Sequence, residues 1–233
     1  MTGVSYAAMW SGRVHRTSPV GAGDGTVMAM HAHSMNPGLP ASRRDDHDNI
    51  VVMHGVTWAQ YESVLEIRGE RSTPRICYLA GELELMSPGR NHERIKSLFG
   101  RLLEAWAEEA GVELNAYGSW TVKQQPDERG VEPDECYVVG ERETTAPDLA
   151  IEVVWTSGGI NKIDIYAPLG VGEVWTWKAG RLAVHVLRGR AYVASTRSEV
   201  LPGLDLDLLV SFVERTDQTA AVREYRRAVR DGR

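Results

Sequence analysis

The residue in this sequence that most needs a chemical explanation is an acid in an apolar setting. Glu152 lies in the run Leu149 to Trp155. There Leu149, Ile151, Val153 and Trp155 alternate on one face of a predicted strand, and Ala150 and Val154 share the other face with the glutamate. Such a strand is buried on both sides, and a lone carboxylate inside it carries a heavy desolvation cost unless something positive stands beside it. Three arrangements meet that demand: an Arg or Lys partner, a raised pKa that leaves the acid neutral, or a divalent cation shared with other carboxylates.

The neighbouring acids favour the cation. Asp148 precedes the strand on the same side by period two, and Asp134 opens the preceding predicted strand. Their contexts, Glu132-Pro133-Asp134 and Ala146-Pro147-Asp148, are alike, although Pro-Asp is also a common structural turn opening. After the turn Thr156-Ser157-Gly158-Gly159 comes Lys162, in the first turn of a predicted helix, with Tyr166 one turn further on the same face. The glycines let that helix fold back on the strand. Lys162 then reads either as a solvated helix lysine or as an ammonium near the metal, able to orient a water or stabilise charge growing on a phosphate.

The elements that must position these groups follow from hydrophobic period and turn chemistry. Thr57 caps a short helix carrying Trp58, Tyr61, Val64 and Leu65, ended near Gly69. Ile76 to Leu79 and Glu82 to Met86 flank Ala80-Gly81 as a hairpin. Ile95, Leu98, Phe99, Leu102, Leu103, Trp106 and Ala110 form the apolar stripe of a long helix, with Gly111 at its C-terminal cap. Strands are predicted at 112–116, 120–123, 135–139 and 149–155, a short helix at 160–168, and a meander at 173–178, 181–187 and 190–196. Residues 204–213 pack back on the core.

This divides the chain into a disordered extension over residues 1–49, a domain over 50–213, and a charged helix or tail over 214–233. The extension holds His15, His31, His33 and His47, read as part of a polar tail. A hydrophobic fraction of 42% with 25% charged residues is ordinary for a globular protein. No apolar run is long enough to span a bilayer, so no membrane partner is expected. The absence of a secretory pattern and the presence of only Cys77 and Cys136, widely spaced, point to the cytoplasm and to cysteines that are small core residues. The net charge of -6 requires that any nucleic-acid contact be local, transient or assisted by a metal.

Three blocks now occur in order: Pro147-Asp148-Leu149-Ala150-Ile151-Glu152-Val153-Val154, Lys162-Ile163-Asp164-Ile165-Tyr166-Ala167, and Gly170-Val171-Gly172-Glu173-Val174-Trp175. Together with Gly81-Glu82-Leu83, Met86-Ser87-Pro88, His92, Glu132-Pro133-Asp134 and Leu201-Pro202-Gly203-Leu204, they resemble the Uma-two-type restriction endonucleases. That group is a branch of the PD-(D/E)XK nuclease superfamily, and the resemblance covers about residues 56 to 213. It implies an α/β (α+β), restriction-endonuclease-like fold, with a central mixed sheet flanked by helices and a Mg2+ or Mn2+ site. Carried over, Asp134 and Glu152 become metal ligands and Lys162 the catalytic lysine, moved onto the helix because Val154 holds the place of the usual ExK lysine. Glu82 or Glu93 would supply a further acid, and His92, Asp148 and Tyr166 are accessory candidates. The sequence departs from the family pattern at Cys77, Ala80 and Trp155, and in the short connection from Glu152 to Lys162.

The leading expectation is therefore a metal-dependent endonuclease acting on DNA, with a homodimer suited to cutting both strands of a duplex. The alternative is a catalytically degenerate relative that binds nucleic acid or a protein. A third reading, hydrolysis of some other phosphorylated substrate, requires a small enclosed pocket.

Overall fold

The protein, seen here in a computed structural model, is described over residues 47–156 and 159–232. The expected extension lies outside the described residues up to residue 46. Its last two residues do not belong to it: Asp48 is buried, and Asn49 opens the first strand.

The chain begins with β1 (Asn49–His54), α1 (Trp58–Arg68) and the hairpin β2 (Arg75–Leu79) and β3 (Glu82–Ser87). Thr57 caps α1 in a reciprocal capping box with Gln60, which satisfies two of the backbone groups that a helix start leaves open. Ala80 and Gly81 both have positive φ, as a two-residue primed hairpin turn requires. The long helix α2 (Arg90–Ala110) ends on Gly111 in the left-handed conformation. β4 (Leu114–Ala116), β5 (Val122–Gln124), β6 (Arg129–Val131), β7 (Glu135–Val139) and β8 (Leu149–Val154) follow. The remainder comprises α3 (Ile163–Tyr166), β9 (Glu173–Lys178), β10 (Arg181–Arg188), β11 (Ala191–Ser195), α4 (Leu206–Val213) and α5 (Gln218–Asp231).

The strands form two sheets, β1-β3-β2-β6-β5 and β11-β10-β9-β8-β7-β4. The second is mixed, because β8 and β9 run parallel while its other pairs are antiparallel. A parallel step needs a crossover, and that crossover carries Lys162 and α3. On one face of the mixed sheet, Leu149, Ile151, Val153, Trp175 and Trp177 pack against the apolar stripe of α2 and against α4 and α5. On the other, Ala150 and Val174 meet Cys77, Val131, Ile165 and Tyr166 from the smaller sheet and α3. β8 is thus buried on both faces, as its composition implied. The architecture is the expected mixed α/β one, with helices on one face of the central sheet and a second sheet covering much of the other.

Several elements differ from expectation. Strand β8 stops at Val154, leaving Trp155 38% exposed. The helix expected over 160–168 shortens to a single turn before Pro168 and Gly170. β1 and β6 were not anticipated; β6 has three residues, too few to show a period. α5 is a core element, since Ala221, Tyr225 and Val229 are buried and Tyr225 meets Phe212 edge-on at 5.5 Å. Both cysteines are free and buried.

Candidate active site

The parallel register sets Glu152 beside Thr176 and Val154 beside Lys178. Glu152 is 4% exposed, and its two carboxylate oxygens have different partners. Oε2 accepts from the Lys162 ammonium at 2.7 Å, and Oε1 accepts from the Tyr166 hydroxyl. Lys162 sits at the start of α3 and Tyr166 at its end, so one helical turn delivers both donors.

A second acid faces them. Glu84 of β3 is also 4% exposed, and its Oε2 accepts from the Ile160 backbone N–H at 2.8 Å. The chain after β8 comes so close that a Cβ on Gly159 would lie 2.1 Å from that oxygen. Gly159 also has φ of 97°, so only glycine fits there. Glu84, Glu152, Lys162 and Asp48 line one pocket of about 370 Å³, together with Lys178 and His185.

Burial pushes the Glu84 carboxyl above the usual glutamate range; the Lys162 charge and the Ile160 N–H oppose this, and Glu152 adds to it. Burial pulls the Lys162 ammonium down, but Glu152, Cys77 and Glu84 more than offset it, so the net shift is upward. Lys162 is therefore a charged donor at neutral pH, not a base. Tyr166 is pushed well above its usual range by burial first and then by Glu152, so it stays a phenol. Burial also raises the Cys77 thiol, and raises that of Cys136 to about 12.

Asp134 is positioned differently. Glu135 is in register with Ile151, so Asp134, one residue earlier, stands alongside Glu152 on the neighbouring strand. Its carboxylate does not line the pocket. Oδ2 accepts from the Val153 N–H at 2.6 Å and lies 3.0 Å from His92 Nε2, while Oδ1 contacts Arg75. His92 is buried in the first turn of α2, with Nδ1 3.2 Å from Asp48 Oδ1. The result is a buried polar chain, Asp48–His92–Asp134–Arg75–Glu93, the last link 3.3 Å long. Asp48 closes it by accepting from the Gly89 N–H at 2.8 Å and the Thr156 N–H at 3.3 Å.

The structure therefore brings Glu152, Lys162 and Tyr166 together and sets Asp134 and His92 on an adjoining network. Three other candidates lie elsewhere. Glu82 is exposed beside His54 at 3.1 Å, and Glu93 pairs with Lys96 at 2.9 Å as well as with Arg75. Asp148 accepts from the Val139 N–H at 2.8 Å and pairs with Arg142, a structural role that Pro-Asp openings commonly play. Glu132, before the first Pro-Asp, is likewise structural: Arg68, Thr121 and the Ile76 N–H hold it.

Sequence reasoning missed Glu84 and Asp48. Alternation through Glu82, Glu84 and Met86 was the available signal for Glu84; Asp48 offered none. Among the described residues, no three Asp, Glu, His or Cys side chains cluster tightly enough to cage a metal by themselves. Two buried carboxylates in one pocket, Glu84 and Glu152, nevertheless present hard oxygen donors. Mg2+ and Mn2+ suit such donors, and Mg2+ is commonly held by one or two carboxylates, the rest of its shell being water and phosphate oxygen.

Among the described residues no helix is long and apolar enough to cross a membrane. A crystal structure to which the chain is similar is that of "a putative nuclease belonging to DUF820" from Anabaena variabilis. It is 13% identical, with a TM-score of 0.42, and the match covers 73% of this chain and 99% of that one. No curated protein matches the chain. The Uma2 family model, described as "Putative restriction endonuclease", matches residues 58–217, which include Glu84, Asp134, Glu152 and Lys162, and the chain therefore belongs to the Uma2 family.

Proposed function

We propose that this protein is a divalent-cation-dependent nuclease that hydrolyses DNA phosphodiester bonds in the Glu152 pocket. The observation that carries this reading is the meeting of two buried carboxylates, Glu84 and Glu152, with one charged lysine at the wall of an open pocket. Glu152 and Glu84 would hold the cation; Asp48 also lines the pocket but is engaged by the Gly89 and Thr156 N–H groups, and Asp134, on the adjoining network, would join only on leaving Arg75 and His92. A bound Mg2+ or Mn2+ supplies Lewis acidity toward the phosphate and a lowered pKa for its water.

The chain's own groups supply the rest. Lys162, charged at neutral pH, donates to phosphate oxygens as negative charge grows on them. Tyr166 fixes the second Glu152 oxygen and so orients the carboxylate. The Val153 N–H to Asp134 bond and the Arg75 and His92 contacts clamp the end of β8, holding Glu152 in place. An open pocket admits a polymer backbone, which counts against a small enclosed substrate.

Incubation of the full chain with supercoiled plasmid tests this. Relaxed and linear products should form with Mg2+ or Mn2+ and disappear with a chelator; intact plasmid in every condition would reject the reading.

One observation favours a second reading, a binding relative without catalysis. Every acid near the pocket already has a protein partner: Lys162 and Tyr166 for Glu152, Ile160 N–H for Glu84, Gly89 and Thr156 N–H for Asp48, Arg75 and His92 for Asp134. A cation must displace some of these to enter.

A further inference from the structure

The face of the mixed sheet that carries Glu152 continues past the part covered by the smaller sheet. On that face Ala150 and Val174 are fully buried, and Glu152 is nearly so. Beyond them the register places Thr176 beside Glu152, Lys178 beside Val154, and, across the β9–β10 hairpin, Arg181 beside Lys178 and Ala183 beside Thr176. Directly paired residues project from the same side of a sheet, so Lys178 and Arg181 share the face of Glu152. Both are exposed, and neither side chain has a hydrogen-bond or ion-pair partner among the described residues. This strip holds a hydroxyl, two cations and the His185 imidazole, which lies 3.4 Å from Thr176 Oγ1; the nearest acid at the turn between the two cations is Glu214, whose Oε1 would lie 3.6 Å from a Cβ on Gly180. In a chain of net charge -6, two unpaired cations in line with the pocket form a local basic track.

We propose that Lys178 and Arg181 form a phosphate-binding subsite that takes the DNA backbone next to the phosphate held at Glu152. The proposal rests on the nuclease reading above. Cross-strand neighbours on one face suit a backbone whose phosphates recur at short intervals, and contacts of this kind position a strand without reading its sequence.

The test uses anisotropy of a fluorescent DNA duplex with the full chain and Ca2+, across roughly 50 to 200 mM salt. Wild type should show a linear fall of log affinity with log salt. In Lys178→Gln/Arg181→Gln the slope should shrink by about 1.8, at about 0.9 per lost phosphate contact. Across a fourfold change in salt, that difference corresponds to roughly a 10-fold change in relative affinity. Lys178→Arg/Arg181→Lys should keep the wild-type slope, which separates charge from packing. Plasmid cleavage by wild type is measured alongside. If wild type binds and cuts while the glutamine double variant keeps the full slope, the proposal is overturned and the nuclease reading stands. If wild type neither binds nor cuts, both are overturned.

Discussion

Lys162 places its ammonium 2.7 Å from Glu152 Oε2 across a separation of ten residues, so the crossover between two parallel strands carries the group that answers a buried acid. In the proposed mechanism Lys162 would act as a charge-stabilising group and not as a ligand. Lys162→Ala should therefore lower cleavage by about 100-fold or more, the scale of losing one donor aimed at transition-state charge. Mn2+ binding, followed by calorimetry, should persist or tighten, because a competing positive charge is gone. Loss of Mn2+ binding would show that Lys162 shapes the site rather than serving it.

Glu84 of β3 and Glu152 of β8 are proposed to share the cation in the pocket they both line. Glu84→Gln should weaken Mn2+ binding by more than about 10-fold, since an amide is a poorer partner for a hard cation than a carboxylate. Asp134→Asn measured beside it ranks the two acids. If Glu84→Gln binds Mn2+ as wild type does while Asp134→Asn fails, Asp134 is the second ligand.

Asp48 ties the lead into β1 to the start of α2 and to the chain after β8. Burial pushes its carboxyl up, but hydrogen bonds from His92 and the Gly89 and Thr156 N–H groups outweigh this and hold it below the usual aspartate range. A depressed folded pKa gives stability that is present above the unfolded value and is lost as pH falls through the folded one. Asp48→Asn should cost about 1 to 3 kcal/mol at neutral pH and flatten the acid limb of the stability curve. An unchanged midpoint in urea at both neutral and acid pH would refute this.

Much of this arrangement was legible in the sequence where signals are local. The α2 stripe, the Thr57 cap, the Ala80-Gly81 turn and the doubly buried β8 each follow from residues within a few positions of one another. That Lys162 and Tyr166 share a helix face folded back on the strand was readable from one helical turn and the glycines before it, whereas the direct contacts of both with Glu152 were not, a shared cation having been favoured over a lysine partner. Asp48 was not, since its partners lie 41 and 108 residues away and nothing near it repeats. Glu84 was passed over for Glu82, although both lie on one strand face: Glu82 is at the exposed hairpin end, whereas Glu84 is buried under the returning Gly159. The engagement of Asp134 by Arg75 and His92 depends on three elements meeting, which spacing alone does not reveal.

Trp106 tests the core that supports the sheet. It is 4% exposed on the stripe of α2, within the cluster that includes Trp177 and Tyr225. Trp106→Ala should cost about 3 to 5 kcal/mol, the range for an aromatic truncated in a packed interior. A denaturation midpoint equal to wild type would show that this face is not part of the core.

Whether Glu152 anchors a cation-dependent hydrolysis of DNA is decided by a side-by-side plasmid assay of wild type and Glu152→Gln in Mn2+. The amide keeps the shape of the side chain while removing its charge. We expect wild type to nick and linearise the plasmid and Glu152→Gln to leave it supercoiled, with both proteins unfolding cooperatively and Glu152→Gln doing so at a lower temperature, because Lys162 loses its charged partner. Equal cleavage by the two proteins, or none by wild type, would contradict the claim.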